Sequence, residues 1–289
     1  MKCHYREKKY ICGNYIDLQV YPVYPVKKCR NRKNKYKPTS ETQQKLNDEN
    51  ANKKLSRYIN ANFTNEDYML TLTYADKYAP EDEQRAKKDI QNFLRRIKRQ
   101  YSKKGIELKY IWVMEKSERT GRIHFHTVIT GGIDRTELEN VWGFGFANTR
   151  ALKFTENGVE GLVKYYTKDK LLYRRFNASK NLIRPIERQN DNKVSNKKAR
   201  DLYEVVEEPE FFKRVYPGYY NAYSEYEIAS VKAQLSELNG QLYFSIRLFN
   251  RKAVYGEERH DKRLRDRSIQ SLCSSGETDS GRAKGKTSE

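Results

Sequence analysis

No stretch of the 289-residue chain approaches the run of roughly 18 apolar residues that a membrane-spanning helix needs. Met1-Lys2-Cys3-His4-Tyr5 is not followed by the apolar segment of a signal peptide. Neither a membrane span nor secretion is expected, and a cytoplasmic location is. Cysteine is scarce. Cys3, Cys12, Cys29 and Cys273 share no paired spacing, which excludes a disulfide framework and a Cys-x-x-Cys zinc knuckle and leaves reduced thiols. Cys3, His4, Cys12 and Cys29 carry donor atoms for a metal, but their irregular gaps speak against one. The chain has no Gly-x-x-x-x-Gly-Lys-Ser/Thr loop, so no helicase is read from it.

Basic residues are plentiful. Lys and Arg number 58 against 38 Asp and Glu, a formal charge of +20. Such a surface attracts polyanions, and phosphate contacts supply much of the binding free energy for nucleic acid. The 23 Tyr and 11 Phe point the same way, because aromatic faces interleaved with cations are what unpaired bases stack on. Many of these rings must nevertheless be ordinary core.

Along the chain, residues 1–66 read as a basic N-terminal arm followed by a helix. Residues 1–37 look irregular and end in the run Lys27 to Lys37. Ser40 with Gln43 resembles a capping box opening a polar helix to about Asn62, with Leu55 and Ile59 as a thin apolar edge. Residues 67–180 hold the readable core. Tyr68 to Tyr74 alternates like a strand. Pro80 with Glu81, Asp82 and Glu83 marks a helix start, and Ala86, Ile90, Phe93, Leu94 and Ile97 then recur at helical spacing. Tyr110 to Met114 and Ile123 to Thr130 read as an antiparallel hairpin around Thr120-Gly121. Asp134 and Glu137 cap a short helix, Phe144 to Phe154 contains a brief strand, and Asn157 opens a helix through about Lys170. Residues 181–250 form a small C-terminal element, polar and loose from Ile186 to Arg200, with Asn239-Gly240 as a turn before a strand. Residues 251–289 are a charged tail expected to be disordered. The order of elements predicts an α+β fold: a central antiparallel sheet with helices packed mainly on one face, plus basic extensions.

Two of the four histidines occur as His124-Phe125-His126. Alternation along a strand sends both imidazoles to one face and Phe125 to the other. Glu115 ends the preceding strand, where the hairpin can fold it beside them, with Glu118 as the fallback. Two imidazoles and a carboxylate with open positions make a divalent metal site, a donor set that non-haem iron oxygenases also use. The basic charge weighs against an oxygenase. Further on, Val159, Leu162, Val163 and Tyr166 share one helical stripe, which makes Tyr166 a core residue. Tyr165 is turned about 100° away, and Lys168, three residues on, shares its face together with Gly161. A phenol with a pKa near ~10 needs help to attack at neutral pH, and a neighbouring ammonium such as Lys168 supplies it.

Three blocks in order resemble the HUH-superfamily rolling-circle replication initiators of small phages and plasmids. They are Leu70-Thr71-Leu72-Thr73-Tyr74, then Ile123-His124-Phe125-His126-Thr127-Val128-Ile129 with Glu115 upstream, then Tyr165-Tyr166-Thr167-Lys168. The resemblance implies an HUH/RRM-like nuclease domain, with Mg²⁺ or Mn²⁺ on Glu115, His124 and His126. It implies that Tyr165 nicks single-stranded or hairpin origin DNA and keeps the 5′-phosphate, with Lys168 assisting. The freed 3′-hydroxyl would prime a host polymerase beside a host helicase, in a bacterial host cytoplasm. Some relatives carry a second tyrosine four residues earlier on this helix. Gly161 stands there, so the chain resembles single-tyrosine initiators. Relaxases of the superfamily place the nucleophile before the histidines, where nothing helix-like frames Tyr5, Tyr10 or Tyr15. A single-tyrosine transposase and a non-catalytic single-stranded nucleic-acid-binding module are the other readings.

Overall fold

The computed structural model describes residues 3–25, 41–167, 170–171, 176–206, 225–236 and 239–255. The basic run Lys27–Lys37, the Ser40 cap and the tail beyond Tyr255 lie outside the described residues. In chain order the elements are β1 (His4–Cys12), β2 (Tyr15–Val23), α1 (Glu41–Asn62), β3 (Tyr68–Tyr74), α2 (Glu83–Lys103), β4 (Tyr110–Lys116), β5 (Ile123–Ile129), α3 (Arg135–Asn140), β6 (Gly145–Ala151) and α4 (Glu160–Tyr166). They continue with β7 (Lys170–Leu171), β8 (Asn177–Ala178), β9 (Ile186–Asn190), α5 (Asn196–Glu204), β10 (Tyr226–Leu235), β11 (Leu242–Asn250) and α6 (Arg251–Tyr255). No helix among the described residues is long and apolar enough to cross a membrane.

The fold is α+β, with two open antiparallel sheets. The first runs β6-β3-β5-β4-β7, with β8 also paired to β4. Strand alternation gives it two faces. Leu70, Leu72, Trp112, Met114, Phe125 and Ile129 pack on one of them against α2, whose buried stripe is Ala86, Ile90, Phe93, Leu94, Ile97 and Tyr101. The Asp82 carboxylate caps α2 by accepting from the Arg85 amide, and Asp134 caps α3 by accepting from Glu137. The opposite face is covered as well. Ile111, Val113 and Val128 meet Leu55, Ile59 and Phe63 of α1 together with Val159, Val163 and Tyr166 around α4.

The second sheet runs β10-β11-β2-β1-β9. Residues 1–37, read as irregular, thus supply its central hairpin, His4↔Val23 through Cys12↔Tyr15. The stretch from Ile186 to Arg200, read as loose, supplies β9 and α5, and Ser195 caps α5 by accepting from the Lys198 amide. Arg251–Tyr255, read as the start of a disordered tail, forms α6. At the β1–β2 turn Gly13 adopts φ +61 against α1, where a Cβ would lie 2.7 Å from the Asn60 carbonyl oxygen. Only glycine fits such a left-handed and crowded position.

Charged residues buried in the second sheet tie it to α1 and α4. Asp17 on β2 accepts from Arg57 Nε of α1 at 2.9 Å and from Arg247 Nε of β11 at 2.8 Å. Arg247 Nη1 also donates to the Asn157 carbonyl at 2.7 Å and to Glu160 at 3.1 Å, at the entry to α4. Burial alone would raise the Asp17 carboxyl, but Arg247 and Arg57 outweigh it and hold Asp17 below the usual carboxylate range. Its stabilisation is therefore fully present above the unfolded-state value near about 3.9 and is lost as pH falls through the lower folded-state value. Asp17→Ala strands two buried guanidinium groups and is expected to cost about 3–5 kcal/mol, read as a lower urea midpoint at neutral pH. A midpoint equal to the parent's would show that the network contributes nothing.

Candidate active site

The three residues expected to bind metal do come together. Register sets Glu115 of β4 opposite His124 of β5, and His124 opposite Thr73 of β3. All three ligand side chains project from the face covered by α1 and α4. Glu115 Oε2 lies 3.4 Å from His124 Nε2 and 3.3 Å from His126 Nε2. The donor atoms of the trio fall within 4.8 Å of one another, and it is the only such group among the described residues. Glu118, the fallback ligand, is exposed in the β4–β5 turn and outside the group. Cys3, His4 and Cys12 do not gather either. Cys3 is bonded to Gln241, His4 faces Asp191, and Cys12 is buried with its thiol pushed up to about 12 by that burial. Cys29 lies outside the described residues.

The chemistry of the trio fits a divalent cation. Glu115 is buried, and its ion-pair partners among the described residues are the two imidazoles. Its Oε1 has no hydrogen-bond partner there. A buried carboxylate with one oxygen unpaired is costly unless a cation meets it. The imidazoles present Nε2 toward the same point. His126 is oriented for this by Thr71, whose Oγ1 lies 3.3 Å from Nδ1. With the Nδ1 proton directed at the hydroxyl, the Nε2 lone pair is left for a metal. Thr71 escaped the sequence reading because its role depends on the Thr71↔His126 register.

Both tyrosines of α4 approach His126, in different ways. The Tyr166 ring stacks on the imidazole, with centroids 4.4 Å apart and planes 13° apart. Tyr166 is buried, and burial pushes its phenol above the ordinary range, with Tyr165 and Glu115 adding to the shift. The Tyr165 ring stands 5.6 Å from the same imidazole, edge-on, and is 64% exposed. The buried stripe Val159, Val163 and Tyr166 with Tyr165 outside it is what the spacing predicts. The helix itself is shorter than expected. It begins at Glu160 and is capped at Thr167, and Asn157 sits in a turn and does not cap it. Asn60 of α1 takes over at the entry by accepting from the Val159 amide at 3.3 Å. Lys168 lies outside the described residues. Gly161 is exposed, and a Cβ there would meet nothing within 4 Å, so the chain's own packing does not demand a glycine.

The arrangement offers a polarising cation site next to a solvent-open phenol, on a basic protein. Comparison with curated proteins and with solved structures finds no match. Residues 67–170, which span every residue from Thr71 to Tyr165, match the family model of the replication-associated protein ORF2, and this match supports a replication-initiator family.

Proposed function

We propose that the chain is a replication initiator that nicks single-stranded origin DNA, with Tyr165 as the nucleophile. The observation that carries the reading is the placement of an exposed phenol beside the imidazole of a buried Glu-His-His cluster. The Tyr165 oxygen forms a bond to phosphorus while the bond from phosphorus to the 3′-oxygen breaks. The phenolic proton leaves to solvent, and the departing 3′-oxygen takes up a proton. The products are a 5′-phosphotyrosine link and a free 3′-hydroxyl, which a host polymerase can extend. Lys168, at Tyr-x-x-Lys spacing, is assigned the charge that steadies the phenolate or protonates the leaving oxygen. Glu115, His124 and His126 would hold Mg²⁺ or Mn²⁺, which when bound supplies Lewis acidity toward a phosphate oxygen. Tyr166 and Thr71 keep His126 in place from its ring face and its Nδ1 side.

The match to replication-associated proteins favours initiation over transposition, although a single-tyrosine transposase would use the same bond changes. It also weighs against an oxygenase. The test is incubation with an end-labelled single-stranded oligonucleotide and Mn²⁺. The reading expects a denaturation-resistant protein–DNA adduct and a second product that a polymerase extends. Cleavage products with no protein-linked strand would point to hydrolysis by another route.

A further inference from the structure

The face of the first sheet that carries the cluster also leaves a large aromatic ring in solvent. Phe146 on β6 is 68% exposed, the most exposed large hydrophobic side chain among the described residues. Its direction follows from register. Phe146↔Thr73, Thr73↔His124 and His124↔Glu115 form one row across four strands, so Phe146 projects from the same face as the metal ligands. Its neighbour Ala147 is buried on the opposite face, in the core under α2. Strands lie about 4.8 Å apart, and Phe146 is two strands from His124, hence roughly 10 Å away. The same edge strand carries Asn148 and the exposed Arg150 on this face, and Arg150 Nε donates to Asn148 Oδ1 at 3.0 Å.

The backbone beneath the ring is fixed. β6 pairs with β3 over seven residues, Tyr68↔Ala151 through Tyr74↔Gly145. A Cβ on Gly145 would fall 2.3 Å from the Ala75 nitrogen, and the Ala75 amide donates to Phe144 at 2.9 Å. Phe146 is therefore an apolar ring held in water on a rigid strand. Its neighbours in the row and along the strand are Thr73 and Asn148. One ring among polar groups is too small a patch to seat an apolar protein surface, but it is enough for one base. Arg150 and the net charge of +20 add the attraction for the backbone.

We propose that Phe146 is a stacking platform for one unpaired nucleobase of the strand whose scissile phosphate sits at the cluster, with Arg150 holding the neighbouring backbone. The substrate class rests on the nicking reading above. Stacking accepts any base, so Phe146 sets where the strand lies and leaves its sequence unread.

The experiment is fluorescence anisotropy with labelled oligothymidylate and with a matched strand of abasic residues, in a Tyr165→Phe background so that no cleavage intervenes. Phe146→Ala should weaken oligothymidylate binding about 5- to 100-fold, and Phe146→Trp should hold it near the parent value. Both should bind the abasic strand like the parent. Equal affinity of the parent and Phe146→Ala for oligothymidylate overturns the proposal, as does an equal loss on the abasic strand or a parent that binds neither. The result separates from the nicking claim. A Phe146 effect on binding in a chain that forms no adduct leaves the platform and removes the nick. Normal adduct formation by Phe146→Ala with normal affinity does the reverse.

Discussion

Tyr165→Phe is expected to abolish the covalent DNA adduct, with a fall of at least about 10⁴-fold in its rate of formation, the scale seen when a nucleophile is removed from a machine that acts as a unit. Single-stranded DNA binding should stay within a few-fold of the parent, because the ring remains and Tyr165 is exposed, so nothing repacks. Tyr166→Phe provides the contrast. That hydroxyl is buried without a hydrogen-bond partner among the described residues, and burial holds its proton on. Removing an unpaired buried hydroxyl is near neutral or stabilising, and the stack on His126 survives in phenylalanine. Adduct formation should therefore persist in Tyr166→Phe. If Tyr165→Phe still forms adduct and Tyr166→Phe does not, the roles are exchanged, and α4 must turn by about 100° to work.

The second large effect is on metal. In wild type, Mn²⁺ binding should be saturable by calorimetry and should raise the melting temperature, since a ligand of the folded state alone stabilises it by about 2.7 kcal/mol at a hundred times its dissociation constant. Losing a residue that only orients a ligand costs about 10–100-fold in affinity, and Thr71→Val is expected in that range. His126→Ala removes a ligand and should lose at least about 100-fold, with no Mn²⁺-dependent rise in melting temperature. Glu115→Gln should bind metal as poorly, yet its metal-free form should be at least as stable as the parent. It removes a buried charge whose Oε1 is unpaired. Full Mn²⁺ affinity in both variants would reduce the cluster to a hydrogen-bonded core feature.

The first sheet and the trio on it were legible because each depended on local pattern. Period-two alternation in Tyr68–Tyr74 and Ile123–Ile129 and a period near 3.6 in α2 report burial directly. A hairpin then brings Glu115 to His124 with no distant information. The second sheet was illegible for a physical reason. Its strands break alternation with buried charge, Glu7 on β1 and Asp17 on β2. Asp17 is tolerated because Arg247 completes its pairing from 230 residues away. β9 is exposed along its length and is held by pairing to β1 and by the Lys8–Glu187 ion pair at 2.5 Å. No local periodicity reports such a strand. Thr71 and Phe146 needed register across three strands, which a linear pattern does not contain. Lys168 is carried by spacing alone.

The assignment of Tyr165 as the residue that takes the phosphate is tested most directly by mapping the linkage. The adduct formed with Mn²⁺ is trimmed with nuclease, cut with trypsin and fragmented by mass spectrometry, and the peptide to follow is Tyr165-Tyr166-Thr167-Lys168. A nucleotide remnant on the Tyr165 oxygen, absent when the metal is chelated, is the predicted result. A remnant on Tyr166 or on any tyrosine outside α4 would contradict it.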